Sequence, residues 1–147
     1  PKSIFLGSFL KWNSFDILEQ VKKYGFRYDE NHGKVGAWNF ADIDCDFISL
    51  HHFLKWHKFG MTRSFDNLSI QIRYELINRK KAINKIKEMG HFIPHDDIKK
   101  FCNFVEKPTR WFFETCEKFR NKRIWYKDRN TWKIKNFLIS DWKWNED

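Results

Sequence analysis

The amino-acid sequence predicts a mainly α, compact domain of about five to six helices, with an extended N-terminal segment and a Trp-rich C-terminal arm. Apolar residues recur at helical spacing in several stretches, and capping residues and glycines mark the ends of these stretches. Sixteen Phe and eight Trp in 147 residues supply bulky material for a core. A chain of this length buries about two-thirds of its unfolded surface.

Three helices are predicted over residues 14–25, 49–60 and 78–90, where Ser or Asn stands at the first position and Gly at the last. Ser and Asn side chains accept hydrogen bonds from the free N–H groups of a first turn, and Gly adopts the left-handed conformation that ends many helices. The side chains predicted to face the core are Ile17, Leu18, Val21, Tyr24, Leu50, Phe53, Leu54, His57, Ala82, Ile83, Ile86 and Met89.

Two further helices follow. Residues 95–106 give the cleanest helical pattern in the chain, and Thr109 is predicted to cap a last helix. The inward side chains of these two helices are Ile98, Phe101, Cys102, Val105, Phe112, Phe113, Cys116 and Phe119. Both cysteines in this set are therefore predicted to be core residues and not nucleophiles.

Residues 68–76 carry two competing patterns. Strict apolar alternation favours a strand, whereas a four-residue repeat of Leu and Ile favours a helix. In a helix Asp66, Ser69 and Arg73 would share one face, whereas in a strand Asp66 and Arg73 would point to opposite faces. One polar face fits the polar turn that precedes it, so we predict a helix.

The two ends of the chain differ in character. Residues 1–12 alternate loosely and predict an extended segment or a strand. The tail from Asn121 interleaves Trp with Lys, and its stretch WKIKNFLI is a candidate short strand. Such a tail can stack on nucleic-acid bases or pack against the helices, and we favour packing.

The net charge is +9, from 28 Lys and Arg against 19 Asp and Glu. This charge fits an anion site, a solvated basic surface or an acidic partner domain, and leaves a nucleic-acid-binding or protein-interaction module as an alternative function. Three widely spaced cysteines without a CxxC pair, no signal-peptide pattern and no apolar run near ~20 residues predict a cytoplasmic protein without a membrane span.

Metal binding is not predicted. Asp42, Asp44 and Asp46 alternate, but the turn glycine and closing glutamate of a calcium loop are absent, so a salt-bridged surface or a loop leading into a helix is favoured. The adjacent His51 and His52 diverge by ~100° around a helix, which disfavours a shared metal ion.

The candidate functional residues lie in the stretch 51–73. His51 shares a helix face with Lys55 and Lys58, and Lys58, Arg63 and Arg73 can converge on the gap between two helices, with Asp66 and Ser69 among them. Guanidinium groups suit phosphate or carboxylate recognition. The same residues could instead form an ion-pair cluster that holds the turn, and the residues alone leave both interpretations open.

The stretch HHFLKWHKFGMTRSFDNLSIQIRYELINRKKAI resembles the C-terminal signature of the N-acetyl sugar amidotransferases, members of the PP-loop ATP pyrophosphatase superfamily that serve surface-polysaccharide and pseudaminic- or legionaminic-type sugar pathways. FLGSFLKW, DIDCD, FRNKRIW and TWKIKNF match as well, whereas Lys80 and Lys81 stand where relatives often carry acids. The matching positions in the central motif are His51, Phe53, Leu54, Lys58, Phe59, Gly60, Arg63, Asp66, Ile72, Arg73, Arg79, Ala82 and Ile83.

This resemblance implies that residues 1–147 are the single helical C-terminal domain of a larger enzyme, whose PP-loop domain lies upstream of Pro1. It also implies an ATP-dependent reaction that converts an N-acetyl group of a nucleotide-linked sugar to an acetamidino group. Ammonia would come from a partner glutaminase. The implied cofactor is ATP, held mainly by the upstream domain, with Mg²⁺ as a candidate companion.

The resemblance further implies roles for seven side chains. Lys58, Arg63 and Asp66 are the expected catalytic residues. Lys58 and Arg63 would stabilise negative charge on phosphate or on departing AMP, and Asp66 would position one of the groups involved. The expected substrate-binding residues are His51, Ser69, Arg73 and Arg79.

Overall fold

The computed structural model describes residues 2–28 and 35–144, and within these ranges it contains six α-helices followed by a β-hairpin. The elements are α1 (Ser14–Lys23), α2 (Ile48–Phe59), α3 (Arg63–Arg73), α4 (Arg79–Met89), α5 (His95–Phe104), α6 (Thr109–Lys118), β1 (Trp125–Asp128) and β2 (Thr131–Ile134). The predicted mainly α fold is confirmed.

Of the capping residues predicted for α1, α2 and α4, the structure confirms the one at α4. Asn78 accepts a hydrogen bond from the Lys81 N–H at 2.9 Å, as predicted. In α1 the capping residue is Asn13, whose side chain accepts a hydrogen bond from the Phe15 N–H. The prediction of Ser14 was therefore wrong by one residue. Ser49 does not cap α2, because its hydroxyl donates to Asp97 Oδ2 at 2.6 Å inside the protein.

The segment 68–76 is helical up to Arg73, which confirms the predicted helix. Phe65, Leu68 and Gln71 are buried, whereas Ser69 and Arg73 are exposed. The apolar and polar faces of α3 therefore follow helical periodicity. α6 begins at the predicted Thr109, although Pro108 occupies the capping position.

Two hydrophobic clusters form the core, and α2 contributes to both. The first joins α2, α3, α4 and the C-terminal arm, and consists of Trp56, Phe65, Leu68, Ala82, Ile86, Trp125, Ile139 and Trp142. The second joins α2, α5 and α6, and consists of Leu50, Phe53, Ile98, Cys102, Phe112 and Cys116. The prediction that Cys102 and Cys116 are core residues is confirmed.

Four side chains predicted to face inward are exposed, and their positions explain why. Tyr24 and Phe119 are the residues that follow the last turns of α1 and α6, and they are 90% and 71% exposed. Leu54 borders an open groove between α2 and α6, and Met89 borders a cavity beside Gly90. Helical spacing predicts that such residues lie on the inward face of their helix. It does not predict whether another part of the chain packs over them.

The N-terminal segment is not a strand. Residues 2–12 are exposed and contain a 3₁₀ turn at Leu6–Ser8, where the Ser8 N–H donates to the Phe5 carbonyl. Among the residues that the structure describes, both strands are in the C-terminal hairpin, and neither pairs with this segment. Tyr74 donates a hydrogen bond to the Trp12 carbonyl at 2.6 Å and ties the segment to the end of α3.

The Trp-rich arm packs against the helices, as predicted. Its hairpin pairs Trp125 with Ile134 and Asp128 with Thr131. Trp125 and Trp142 are 3% and 8% exposed and contact Trp56 of α2. The predicted short strand in WKIKNFLI corresponds to the second strand of this hairpin.

No helix within the described ranges combines the length and apolar character that crossing a bilayer requires.

Candidate functional site

The turn between α2 and α3 places the predicted functional residues on both sides of a glycine. Gly60 has φ +66° and its N–H donates to the Trp56 carbonyl at 2.8 Å, which ends α2. Thr62 is extended and α3 starts at Arg63. A Cβ on Gly60 would overlap the Ile134 side chain, so the hairpin holds this turn from outside.

Arg63 lies between two carboxylates. Its Nε donates to Asp42 Oδ2 at 2.8 Å and its Nη2 to Asp42 Oδ1 at 3.4 Å. Its Nη1 lies 3.5 Å from Asp66 Oδ2, and the same oxygen accepts a hydrogen bond from Lys55. We call Asp42, Lys55, Arg63 and Asp66 the Arg63 cluster. Two positive and two negative charges balance, and the guanidinium is held in one orientation while 29% of its side chain stays exposed.

Beside Arg63 lies a cavity of about 270 Å³, which we call the polar cavity. It is lined by the 35–36 loop, by α2, by the turn at Thr62 and by residues 89–92. Thr62 Oγ1 and both ring nitrogens of His52 are buried here without a hydrogen-bond partner among the described residues. Leaving buried polar groups unpaired costs about 1–3 kcal/mol each, so the cavity is suited to a polar occupant.

His52 is a neutral imidazole in this environment. Burial lowers the pKa of His52, and this effect outweighs the opposing influence of Asp42. The His52 Nε2 atom lies 3.9 Å from Asp42 Oδ2, which is too long for a hydrogen bond. One ring nitrogen can therefore donate and the other accept.

Gly36 brings the 35–37 loop against α3. Its φ is +73°, and a Cβ would overlap Asn67 Oδ1 and lie 2.8 Å from Arg63 Cγ. Asn67 Oδ1 accepts from the Ala37 N–H at 3.0 Å, while Asn67 Nδ2 is buried without a partner within the described ranges. Only glycine fits this close approach, which positions Arg63 at the cavity wall.

The structure brings together Arg63 and Asp66 but places the other predicted site residues elsewhere. Lys58 and His51 line the groove between α2 and α6. Arg73 is exposed at the far end of α3, about 15 Å along the axis from Arg63 at 1.5 Å per residue. The exposed Ser69 lies on α3 and the exposed Arg79 at the start of α4.

Two members of the Arg63 cluster were missed by sequence reasoning. The sequence predicts a salt-bridged surface or a loop leading into a helix for the acidic stretch DIDCD, and the ion pair between Asp42 and Arg63 confirms a salt bridge at this residue. Lys55 was assigned to one helix face with Lys58, yet Lys55 is the one that reaches Asp66. Among the described residues no three His, Cys, Asp or Glu side chains gather as a metal site.

A second site surrounds Arg120, which is only 7% exposed. Its Nε donates to Glu117 Oε2 at 2.9 Å and its Nη2 donates to Glu117 Oε1. The guanidinium lies 4.8 Å from the Trp125 ring and 4.9 Å from the Trp132 ring. These residues border a cavity of about 430 Å³, which we call the aromatic cavity.

Two histidines adjoin the aromatic cavity. His57 Nδ1 donates to the Phe53 carbonyl at 3.1 Å, and His57 Nε2 lies 3.6 Å from Glu117 Oε1. His91 stacks on Phe53 and Trp56 with ring centroids 5.4 and 4.9 Å away. Burial lowers the pKa of His91 to about 3, with smaller contributions from His57 and Arg120. Although burial opposes it, the close approach of His57 and the hydrogen bonds from Arg120 lower the pKa of Glu117 to about 2.

A family model for the C-terminal domain of WbpG-like LPS biosynthesis proteins matches residues 15–138. The chain belongs to this family. The WbpG-like match covers α1 to β2, and so includes the whole Arg63 cluster as well as Arg120, Trp125 and Trp132. The chain is accordingly a C-terminal domain of an LPS biosynthesis protein. No curated protein matches the chain.

Proposed function

We propose that this WbpG-like domain is the substrate-side part of an ATP-dependent amidotransferase, which converts the N-acetyl group of a nucleotide-linked sugar to an acetamidino group. The match to a family of LPS biosynthesis proteins supports a substrate that is an intermediate of a surface polysaccharide. The observation that carries the proposal is the polar cavity, where a fixed arginine adjoins buried polar groups that have no partner within the described ranges.

The polar cavity matches the chemistry of a sugar nucleotide. Hydroxyl and amide groups of a sugar can donate to and accept from Thr62 and the neutral His52, which satisfies groups that are otherwise unpaired. Arg63 offers donors for a phosphate or carboxylate oxygen on its exposed side. Since Asp42 and Asp66 already hold its guanidinium, little side-chain entropy is lost when the substrate binds.

The chemistry that ATP supplies is activation of the amide oxygen, with release of pyrophosphate. Ammonia then forms the new C–N bond, the C–O bond breaks, and the oxygen leaves with AMP. The polar cavity contains one arginine and no phosphate-binding loop, so the residues described here suit contacts to the sugar and the departing phosphate better than the binding of ATP itself. We propose that an upstream domain holds ATP and its Mg²⁺, and that a glutaminase subunit supplies ammonia.

Arg63 is the proposed catalytic cation, because a preorganised donor stabilises charge that develops in the transition state. Asp66 positions it and also anchors Lys55 of α2. We propose that Lys58 acts from the other side of the Gly60 turn, and that His51, Ser69, Arg73 and Arg79 contact parts of the substrate or of the upstream domain outside the polar cavity. Their exposure leaves them available for such contacts.

The reaction itself can be tested with the whole protein. The protein is incubated with ATP, ammonia and a nucleotide-linked N-acetyl sugar, and the products are identified by mass spectrometry. We expect sugar-dependent formation of AMP and a product in which NH replaces the acetamido oxygen. AMP formation that does not depend on the sugar, or an unchanged N-acetyl group, would show that the proposed reaction is wrong.

A further inference from the structure

The aromatic cavity has the features of a ligand site that is separate from the polar cavity. The two cavities share Phe53 and His91 as a wall, but Arg63 lines only the polar cavity and Arg120 only the aromatic one. Its volume of about 430 Å³ lies in the lower part of the range of small-molecule sites, about 300–1,000 Å³. This size suits one ring with its substituents.

Aromatic rings make up much of the wall of the aromatic cavity, beside the polar side chains of Glu117 and Arg120. Five tryptophans contribute to the lining, and they come from α2, from both strands of the hairpin and from the last residues of the arm: Trp56, Trp125, Trp132, Trp142 and Trp144. Indole rings offer large flat faces together with one N–H donor each. A ligand with apolar C–H faces and polar edges therefore matches these walls.

Two residues that line the cavity each carry a buried polar atom without a hydrogen-bond partner among the described residues. These atoms are Nε1 of Trp125, which is 3% exposed, and Nε2 of His91. The indole N–H can only donate, whereas a neutral imidazole nitrogen can donate or accept. A hydroxyl group satisfies both, because it donates one hydrogen bond and accepts others.

The buried arginine and the glutamate of the aromatic cavity neutralise each other. Arg120 is neutralised by two hydrogen bonds to Glu117, and burial keeps His91 neutral. The exposed Lys143 is the remaining lysine or arginine among the described lining residues. Because the buried arginine is already paired, the buried part of the cavity suits a ligand that carries hydroxyls and no charge, and an anion would find its free cation only at the exposed Lys143.

We infer that the aromatic cavity binds the uncharged pyranose ring of a carbohydrate, with its C–H face against the indoles and its hydroxyls toward Trp125 Nε1 and His91 Nε2. This inference stands on the cavity and does not depend on amidine synthesis. A carbohydrate site beside the polar cavity would let the domain hold a neutral sugar while another molecule occupies the Arg63 side.

The indole N–H resonances of the ¹⁵N-labelled chain report on this site directly. Glucose and N-acetylglucosamine are titrated, with inorganic phosphate and AMP as charged comparisons, and the indole signals are assigned by single Trp→Phe substitutions. We expect saturable shifts of the Trp125 and Trp132 signals with the sugars. The signal of Trp12, which is 61% exposed and outside the cavity, should stay in place.

Two variants sharpen the test. Trp132→Ala removes one wall and should weaken sugar binding by about tenfold, the effect of losing ~1.4 kcal/mol, while Trp12→Ala should bind as the wild type does. If Trp132→Ala does not fold, the titration of the wild-type chain still shows whether the aromatic cavity binds the sugars. Absent sugar shifts, or shifts produced by phosphate or AMP but not by the sugars, would overturn the inference. The amidotransferase reaction is tested separately, by sugar-dependent AMP formation in the whole protein.

Discussion

Replacing Gly36 with alanine tests whether the 35–37 loop positions the polar cavity. Gly36 has φ +73°, a conformation that costs an L-residue about 1–2 kcal/mol. The added Cβ would also overlap Asn67 Oδ1 and lie 2.8 Å from Arg63 Cγ. Asn67 is 1% exposed and bound to the Ala37 N–H, so it has little room to move.

The expected loss of stability has two parts. Backbone strain contributes about 1–2 kcal/mol, and overpacking of a closely packed site adds about 1–3 kcal/mol. Gly25→Ala is a matched control, since its φ is +92° and nothing lies within 4 Å of a Cβ there. We therefore expect Gly36→Ala to lower the free energy of unfolding by about 2 kcal/mol more than Gly25→Ala does.

Urea unfolding followed by tryptophan fluorescence measures both losses. The double variant Gly36→Ala with Asn67→Ala removes one of the clashing atoms, so the two substitutions should couple favourably by at least about 0.5 kcal/mol. Equal losses for Gly36→Ala and Gly25→Ala, together with additive behaviour of the double variant, would refute the close packing of this loop on α3.

Two further predictions concern titration and reactivity. The folded state disfavours protonation of His91, whose pKa is about 3, so wild-type stability should fall as pH drops from about 6.5 toward 3, by about 1.4 kcal/mol per pH unit for one proton. His91→Phe keeps a ring in the stack and should flatten this part of the profile; an unchanged slope of unfolding free energy against pH would contradict the assignment. Cys45 is exposed, whereas Cys102 and Cys116 are buried and burial raises their thiol pKa values. A thiol reagent should therefore modify Cys45 at once and the other two only as the protein unfolds, and rapid native-state modification of all three would show that the α5–α6 core is open.

The helices were predictable because their signals are local. The polar face formed by Asp66, Ser69 and Arg73 resolved the ambiguous segment as α3. A local pattern does not show which of two adjacent capping residues caps a helix. Asn13 caps α1, although the sequence predicts Ser14. Exposure of Phe119 also escaped prediction, because periodicity does not reveal where the last turn of a helix ends.

The site was predicted in part, because its remaining contacts join distant parts of the chain. Arg63 and Asp66 are three residues apart on one helix, and their pairing follows from spacing. Asp42 is 21 residues from Arg63, so no local pattern indicates which carboxylate it meets. Arg120 is buried because its guanidinium packs on the indole rings of Trp125 and Trp132 in the hairpin. The sequence predicts that this arm packs on the helices, but it does not indicate which hairpin residues lie opposite each other.

In the proposed reaction Arg63 acts on the substrate and does not only stabilise the turn between α2 and α3. The decisive measurement is kcat/KM of the whole protein for its nucleotide-linked sugar in Arg63→Ala and in Arg110→Ala, with stability measured in parallel. Arg110 is a matched arginine whose side chain is 87% exposed on α6, where it pairs with Glu114. We expect kcat/KM to fall by at least about 100-fold in Arg63→Ala and to stay near the wild-type value in Arg110→Ala. Equal turnover in the two folded variants would contradict this role of Arg63.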